Sequence, residues 1–215
     1  LNSSSGLISG MPEAATTAVF SVAITGDNGL ASTNELSLTI LEAYGIPFSE
    51  GFESGGALPD GWAQEYVLGG TSWGFMNGAT WEHPRSAHSG SYNAYLGVVV
   101  ETKMITRLVS PRIDFGTTAH AGRLTFWHCM ENWLEGQDEL RVYYKTTVAG
   151  SWIALTNYTT AVIGWTQQTI DLPNPTRTYY VAFEGTAKYG HGVCLDDVYV
   201  GDPTPALSIT NASAL

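Results

Sequence analysis

The chain has 215 residues, of which 44% are hydrophobic and 12% aromatic, so it can bury a sizeable core. Twenty acidic residues against nine Lys and Arg give a formal net charge of -11. Such a charge repels nucleic-acid backbones and anionic lipid, which argues against both as partners and favours divalent cations. No apolar run approaches the roughly 18 residues that a membrane-spanning helix needs, so we expect no membrane insertion.

The first residues lack the basic start and apolar centre of a secretory signal, and the chain has no initiator Met. We therefore expect a longer parent protein, in which any signal or anchor lies outside this sequence. Throughout the chain, short alternating runs are separated by Gly, Ser, Thr and Asn, and no window has a helical period. The pattern predicts an all-β protein.

Residues 1–43 contain two such runs around the turn "GDNGLAS", with Phe20 and Val22 in the first run and Leu36 and Leu38 in the second. The segment "GLISGMPEAATTAVFSVAITGDNGLASTNELSLTI" resembles the closing half of a bacterial cadherin-like, immunoglobulin-type repeat. The resemblance implies that residues 1–43 are the C-terminal part of such a repeat. Half a sandwich leaves an unpaired edge, so we expect this segment to lean on the next domain or on a neighbouring molecule.

Residues 44–202 form the second predicted unit, which has an ordinary size for one β-sandwich. Alternation is clearest in Leu124, Phe126, His128 and Met130. Strands of this length and spacing predict a sandwich or jelly roll. The Pro-containing residues 203–215 predict a linker into a further domain.

The strand "VCLDDVYV" carries two adjacent acids, Asp196 and Asp197, between apolar residues. In a regular strand, Asp197 would share a face with Val193 and Leu195, and Asp196 would share the other face with Val198. Both faces look buried, and an ionised carboxylate leaves water at a cost of several kcal/mol unless it is compensated. The residues alone allow a metal ion, a hydrogen-bonded carboxylate pair, or a salt bridge to an arginine such as Arg85 or Arg112.

The second unit resembles MAM-like jelly rolls, particularly the bacterial branch with the cleaved adhesin domains of gingipain-type proteases. The resemblance covers about 155 residues and implies the fold more firmly than the function, because this scaffold serves many partners. The motifs that carry it, in order, are "FSEGFESGGALPDGW", "SAHSGSYNAYLG", "TRLVSPRIDF", "GRLTFWHCM", "WTQQTIDLP", "YYVAFEG" and "GVCLDDVYV".

For the two acids, the resemblance implies a structural calcium or sodium ion that holds the two chain ends of the jelly roll, and we expect calcium. Its ligands would be Glu53 from the first strand and Asp196 and Asp197 from the last strand, because calcium prefers six to eight oxygen ligands. The region 86–93 would supply further oxygens, with Asn93 among the ligands. We expect Asp197 to coordinate directly and Asp196 to contribute through its backbone or a neighbouring loop.

Other patterns for catalysis are weak. The histidines form no zinc motif, and no GxSxG nucleophile motif occurs. The loop "MENWLEGQDEL" offers Glu131, Glu135, Asp138 and Glu139 as a carboxylate pair for glycoside hydrolysis, but acidic loops are usually solvated surface. The two cysteines, Cys129 and Cys194, are either one disulfide or two small buried thiols on neighbouring strands.

The aromatic residues divide into two groups. Trp62, Trp73, Trp127 and Trp152 fall in strand-like runs, and Trp165 starts another, so we expect them in the core. Trp81 and Trp133 lie in polar loops, and together with Tyr66, Tyr158 or Tyr189 they would form a platform on which a sugar ring stacks. The alternative is that they cover the ends of the sandwich as lids on the core.

The sequence therefore predicts a non-catalytic adhesion or binding module of a secreted or surface-attached multidomain bacterial protein. Its expected ligand is a carbohydrate or a host or matrix protein, with calcium as a structural cofactor and flanking domains in the same chain. One alternative is an accessory domain of a secreted peptidase or glycoside hydrolase whose catalytic domain lies elsewhere. Another is a purely architectural spacer between surface repeats.

Overall fold

A computed structural model of the chain describes residues 16–25, 28–40, 42–117 and 121–203. The chain divides into two compact units, Leu1–Ala43 and Tyr44–Leu215. All but one residue of the predicted linker 203–215 lies outside the described residues. Apart from one 3-10 turn at Thr80–Glu82, every regular element in the described ranges is a β-strand, and none of these ranges contains a helix able to span a bilayer.

The first unit contains one antiparallel hairpin, β1 (Thr16–Thr25) and β2 (Ala31–Ile40). Phe20 lies opposite Leu36, so the alternating apolar residues of the two strands share one face. In the predicted turn, Asn28 Oδ1 accepts the Leu30 N–H at 3.1 Å, and Gly29 has a φ of 75°. The assignment of this unit to an immunoglobulin-like repeat stays a prediction.

One sheet of the second unit has the strand order β13, β10, β15, β7, β6, and β4 also pairs with β15. All of these pairings are antiparallel, and the long strands β10, β13 and β15 carry most of the sheet. The strands are β4 (Phe48–Glu50), β6 (Gly74–Met76), β7 (Asn93–Leu96), β10 (Gly122–Met130), β13 (Val162–Leu172) and β15 (Val193–Gly201).

The opposing sheet has the order β12, β11, β14, β8, β5, and two short strands, β3 and β9, form a separate pair. Its central strand β14 is buried along its whole length, as expected for a strand flanked on both sides. The strands are β3 (Ala43–Gly45), β5 (Ala63–Leu68), β8 (Met104–Val109), β9 (Arg112–Asp114), β11 (Glu139–Lys145), β12 (Ile153–Tyr158) and β14 (Tyr180–Ala187).

The core fills the space between the two sheets. Leu124, Phe126 and Met130 of β10 face Val142 and other apolar residues of the opposing sheet, as the alternation predicts. Burial of each such side chain contributes about 1.5–3 kcal/mol. The predicted all-β jelly-roll sandwich is therefore confirmed.

The tryptophans differ partly from the prediction. Trp62 and Trp73 are buried in the core. Trp127 and Trp165 are only partly buried, and both contact the ring of His88. Trp152 is also partly buried: its Nε1 donates to Glu65 Oε2 at 2.9 Å, and Lys145 Nζ lies 4.4 Å from its ring centre. The prediction of core packing was wrong for these three.

Cys129 and Cys194 lie directly opposite each other on β10 and β15. Both are buried and both are free thiols. Burial raises the pKa of Cys194 well above its usual value, and the neighbouring Cys129 adds to this. They match the interpretation as small buried thiols on neighbouring strands.

His128 should make the stability of this domain depend on pH. Its ring is fully buried against Phe126 and Tyr158, neither ring nitrogen has a hydrogen-bond partner, and burial lowers its pKa to about 4. The unfolded chain therefore binds one more proton between pH 6.5 and 4, so the free energy of unfolding falls as the pH drops through this window. We expect His128→Leu to remove up to about 3 kcal/mol of this fall, measured by urea unfolding at several pH values.

The control is Met130→Leu, a substitution of similar volume on the same face of β10 that changes no titrating group. An unchanged pH slope in His128→Leu, equal to that of Met130→Leu, would contradict the prediction.

Candidate functional site

Four loops that join strands of the two sheets meet around one cleft of about 400 Å³. They are residues 77–92, 97–103, 131–138 and 188–192. The residues that line the cleft are Trp81, His83, Val98, Val99, Trp133, Tyr189, Gly190 and His191.

Two indoles dominate the opening of this cleft. Trp81 is 68% exposed and Trp133 is 48% exposed, although both are large apolar side chains. Trp81, Leu134 and Tyr189 also have left-handed backbones, with φ values of 71°, 51° and 68°. Such conformations cost free energy in bulky residues and are concentrated at functional sites. The loops therefore hold aromatic residues with backbone conformations that are intrinsically unfavourable for bulky side chains.

Two stacked imidazoles form the inner wall. The rings of His83 and His191 lie 4.1 Å apart between centres, and Trp133 meets His191 edge-on at 5.2 Å. His83 Nδ1 lies 2.9 Å from Glu131 Oε2, and the backbone N–H of His191 donates to Glu131 O at 3.0 Å. Burial, reinforced by the charge of His83, lowers the pKa of His191. This wall of the cleft thus consists of two stacked imidazole rings and the edge of an indole.

A buried carboxylate holds the loop that carries Tyr189 and His191. Asp138 accepts hydrogen bonds from the backbone N–H groups of Lys188, Gly190 and Gly192, the last at 2.7 Å. Hydrogen bonds to a charged acceptor are about twice as strong as neutral ones, and here they compensate the burial of the charge. Asp138 therefore fixes one wall of the cleft.

The two acids of β15 lie at a β-bulge. The pairing of β10 with β15 shifts register between Thr125 and Trp127, and Asp197 has a φ of 46°. Strict alternation was therefore the wrong assumption. The extra residue at the bulge reverses the alternation of side chains along β15. Four apolar residues on both sides of the bulge therefore point into the core, and both acids point to the opposite face of the sheet. These four are Val193, Leu195, Val198 and Val200.

Both acids consequently reach the same loop. Asp196 Oδ2 accepts the N–H groups of His88 and Ser89, at 2.9 and 3.2 Å, and its Oδ1 accepts the Asp197 N–H at 2.8 Å. Asp197 accepts the Ser89 hydroxyl at 2.7 Å and pairs with His88 Nδ1 at 2.5 Å. The His88 ring is stacked on Trp127, with ring centres 3.8 Å apart.

Glu53 binds the next turn of the same loop. Its Oε1 accepts the N–H groups of Ser91 and Tyr92, each at 2.9 Å. Gly90 has a φ of 60°, and a Cβ at this position would overlap the Glu53 carboxylate, so the close approach requires glycine. We name Glu53, Asp196 and Asp197 the carboxylate clasp, because they hold residues 88–92 from both ends of the domain.

The clasp differs in two ways from the expected environment. First, the loop contacts the carboxylates mainly with N–H donors, whereas we expected it to supply oxygen ligands. Second, the basic side chain beside the carboxylates is His88, whereas we considered Arg85 or Arg112. Arg85 pairs instead with the exposed Glu82 at 3.4 Å. Burial, with a smaller contribution from the charge of Asp197, raises the pKa of Asp196 to about 6 against the opposite effect of its N–H donors.

Asn93 supports the loop in another way. Its Oδ1 accepts the Gly78 N–H at 2.7 Å, and its Nδ2 donates to the carbonyls of Gly78 and Ala94. The amide is thus committed to these bonds, which do not favour its expected role as a metal ligand. Further along, Trp165 Nε1 donates to Ser86 O at 2.9 Å. The loop 77–92 is therefore held at both ends, with Trp81 and His83 between them.

Three of the five aromatic residues expected to bind a ligand come together: Trp81, Trp133 and Tyr189 line the cleft. Tyr66 lies outside it, with its hydroxyl 2.7 Å from Ser72 Oγ. Tyr158 does not line it, because its ring packs against His128 at 4.6 Å and Phe126 at 6.2 Å. Sequence reasoning missed the cleft residues His83, His191, Val98 and Val99. Nothing local marks the two histidines as a pair, since 108 positions separate them.

The acids of the loop 131–138 do not meet across the cleft as a catalytic pair. Asp138 is turned inward to the loop amides, Glu131 contacts His83, and Glu139 pairs with Arg141 at 2.8 Å and with Lys188. In the ranges that the structure describes, no group of three or more His, Cys, Asp or Glu side chains is arranged to hold a metal ion.

Removing the charge of Asp138 should loosen the wall of the cleft. In Asp138→Asn, an amide NH₂ replaces one acceptor and faces backbone N–H groups, so we expect a loss of about 3 kcal/mol in the free energy of unfolding. Hydrogen exchange should accelerate at residues 188–192. The matched control, Glu135→Gln, removes an exposed acid from the same loop and should change neither measurement. Unchanged exchange at residues 188–192 in Asp138→Asn would contradict this role.

Solved structures share the fold. The K1 cleaved adhesin domain of Lys-gingipain from Porphyromonas gingivalis W83 is similar over 74% of this chain and 99% of its own, with 24% identity and a TM-score of 0.56. The K2 cleaved adhesin domain of Lys-gingipain covers the same shares, with 20% identity and a TM-score of 0.57. TmCBM61, solved in complex with β-1,4-galactotriose, covers 71% of this chain and 94% of its own, with 17% identity and a TM-score of 0.50.

No curated protein sequence matches the chain significantly. The family model of the MAM domain, described as meprin/A5/mu, matches residues 51–204, which include the clasp and every residue that lines the cleft. The match spans well over half of the chain and agrees with the cleaved adhesin folds. The chain therefore belongs to the MAM domain family.

Proposed function

We propose that this protein is a non-catalytic binding module that holds a carbohydrate in the cleft between Trp81 and Trp133. The observation that carries the proposal is the exposure of two indoles on loops that buried carboxylates hold in place. Exposed tryptophans at a concave site favour stacking on the apolar face of a sugar ring, while their Nε1–H groups and the Tyr189 hydroxyl suit hydrogen bonds to its hydroxyls.

A sugar suits this cleft better than a flat protein surface does. The cleft has a volume of about 400 Å³, which is in the range of small-ligand pockets. A specific protein–protein interface is instead a broad surface that involves many more residues than line this cleft. The fold is compatible with this role, since TmCBM61 with the same fold was solved with a bound galactotriose. A host or matrix protein would then be recognised through its glycans.

The module would act outside the cell, on the surface of or secreted by a bacterium, as one domain of a larger protein. The resemblance of its fold to cleaved adhesin domains supports this placement. The proposed ligand is the same whether the parent is an adhesin or a peptidase or glycoside hydrolase that uses this module as an accessory domain.

Truncation of either indole should weaken binding strongly. We expect Trp81→Ala and Trp133→Ala to weaken the retention of glycans on an array and in calorimetry by at least tenfold, because each stacked ring contributes about 1.5 kcal/mol or more. Both side chains are exposed, so the melting temperature should change little.

The control is Tyr66→Ala, which removes an aromatic ring that is 54% exposed and lies outside the cleft. Binding by wild type and Tyr66→Ala that disappears in the two tryptophan variants would support the proposal. Glycan binding that survives both tryptophan substitutions would refute it.

We also propose that calcium binds the carboxylate clasp as a structural ion. Support comes from the chemistry of the residues: Glu53, Asp196 and Asp197 are three carboxylates that all bind one loop, residues 88–92. Carboxylate oxygens are the ligands that calcium prefers. The acids bind loop N–H groups in the structure, so an ion would replace part of these hydrogen bonds and supply the missing positive charge.

Calcium should then raise the melting temperature of chelator-treated protein by several degrees, since a ligand at 100 times its Kd stabilises the folded state by about 2.7 kcal/mol. Asp197→Asn should abolish the shift, and asparagine tolerates the left-handed backbone at this position. Glu135→Gln should keep the shift. The same melting temperature with and without calcium, or an equal shift in Asp197→Asn, would refute the metal site.

A further inference from the structure

We propose that the cleft selects an uncharged sugar that carries a methyl group, either in an acetamido substituent or at C6 of a 6-deoxy sugar. This inference rests on the proposed carbohydrate-binding function and specifies the class of sugar. It depends on two properties of the described lining, the absence of Asp, Glu, Lys and Arg and the presence of an exposed valine.

The lining does not suit a charged ligand. Of the eight lining residues in the described part of the chain, none is Asp, Glu, Lys or Arg. A carboxylate or ammonium group that entered the cleft would lose water without gaining a counter-ion from an Asp, Glu, Lys or Arg side chain of the lining. The net charge of -11 adds a repulsion of uronic and sialic acids, which are anionic.

An amino sugar is the strongest competing ligand, because aromatic faces attract cations. Two acids lie behind the wall and both are engaged: Glu131 contacts His83 Nδ1 at 2.9 Å, and Asp138 accepts loop N–H groups that include that of Gly190. His191, a residue that is 5% exposed, packs between His83 and Trp133 and presents no negative charge. An ammonium group would thus meet rings but no free carboxylate in this cleft, which favours the neutral acetamido form.

The apolar wall suits a methyl group. Val99 lines the cleft beside the indoles and is 67% exposed, and Val98 next to it packs against the domain core. A sugar hydroxyl placed against valine finds no hydrogen-bond partner there. A methyl group in the same place gains binding free energy, because apolar surface of both the methyl group and the valine is removed from water. Val98 fixes the backbone of this wall, and Val99 offers the contact surface.

The test uses two sets of ligands that differ at one substituent, measured by calorimetry. Chitotriose, cellotriose and the glucosamine trimer share a β-1,4-linked backbone and carry acetamido, hydroxyl and ammonium groups at C2. Methyl L-fucoside and methyl L-galactoside differ only in the methyl group at C6. We expect the methyl-bearing member of one set to bind at least about fourfold more tightly than its hydroxyl counterpart, and that set identifies the source of the methyl group.

The matched variant is Val99→Thr, which keeps the side-chain volume and exchanges one methyl for a hydroxyl. We expect it to reduce the preference to less than about twofold without a change in melting temperature, since Val99 is exposed. Val148→Thr, at a residue that is 65% exposed and outside the cleft, should keep the full preference.

Four results would overturn the inference. If hydroxyl and methyl-bearing sugars bind equally, and binding is still lost in Trp81→Ala, the selectivity is wrong while the proposed function stands. Tightest binding of the glucosamine trimer would identify a cation site, and a preference that survives Val99→Thr would exclude the valine wall. If the wild type binds no sugar at all, the proposed function fails together with this inference.

Discussion

The hydrogen bonds between buried carboxylates and loop amides are the interactions on which the functional end of this domain depends. Among the buried acids, Asp138 accepts three N–H groups from the loop 188–192 and Asp196 accepts two from residues 88–92. The exposed Glu53 accepts two more from residues 88–92. A buried carboxylate without partners costs several kcal/mol, and each charge-assisted bond returns about 1.5–3 kcal/mol. The acids are therefore tolerable only while the loops keep their conformation, which couples the loops to the sheets.

This coupling explains how exposed aromatic side chains are kept in place. The loop 77–92 carries Trp81 with a left-handed backbone, and it is fixed by Asn93 at one end and by the clasp at the other. Facing it, Tyr189 has a left-handed backbone between residues that bind Asp138. The hydrogen bonds of Asp138, Asn93 and the clasp stabilise the loops and so offset the conformational free energy that these left-handed residues cost. A ligand would then meet a site that is already ordered and loses little further entropy on binding.

The strands of the sandwich could be predicted because alternation of apolar residues depends only on local geometry. The bulge in β15 could not be found that way, since a period of two assumes a regular strand. Its signal was present in the apolar positions themselves: Val193 and Leu195 have even spacing, but Val198 continues the core pattern one residue late. Asp138 resembled a solvated acid among several, because its burial depends on a loop 50 positions further on.

The central claim is that Trp81 and Trp133 form the ligand site while the other tryptophans serve structure. The most direct measurement is a titration of 15N-labelled protein with a neutral glycan, observed at the indole Nε1–H signals of its seven tryptophans. We expect the signals of Trp81 and Trp133 to shift. The signals of Trp62 and Trp73 should stay unchanged, because both residues are buried and Trp73 Nε1 donates to Thr106 O. Shifts confined to Trp127, Trp152 and Trp165 would place the ligand on the sheet faces and contradict the account.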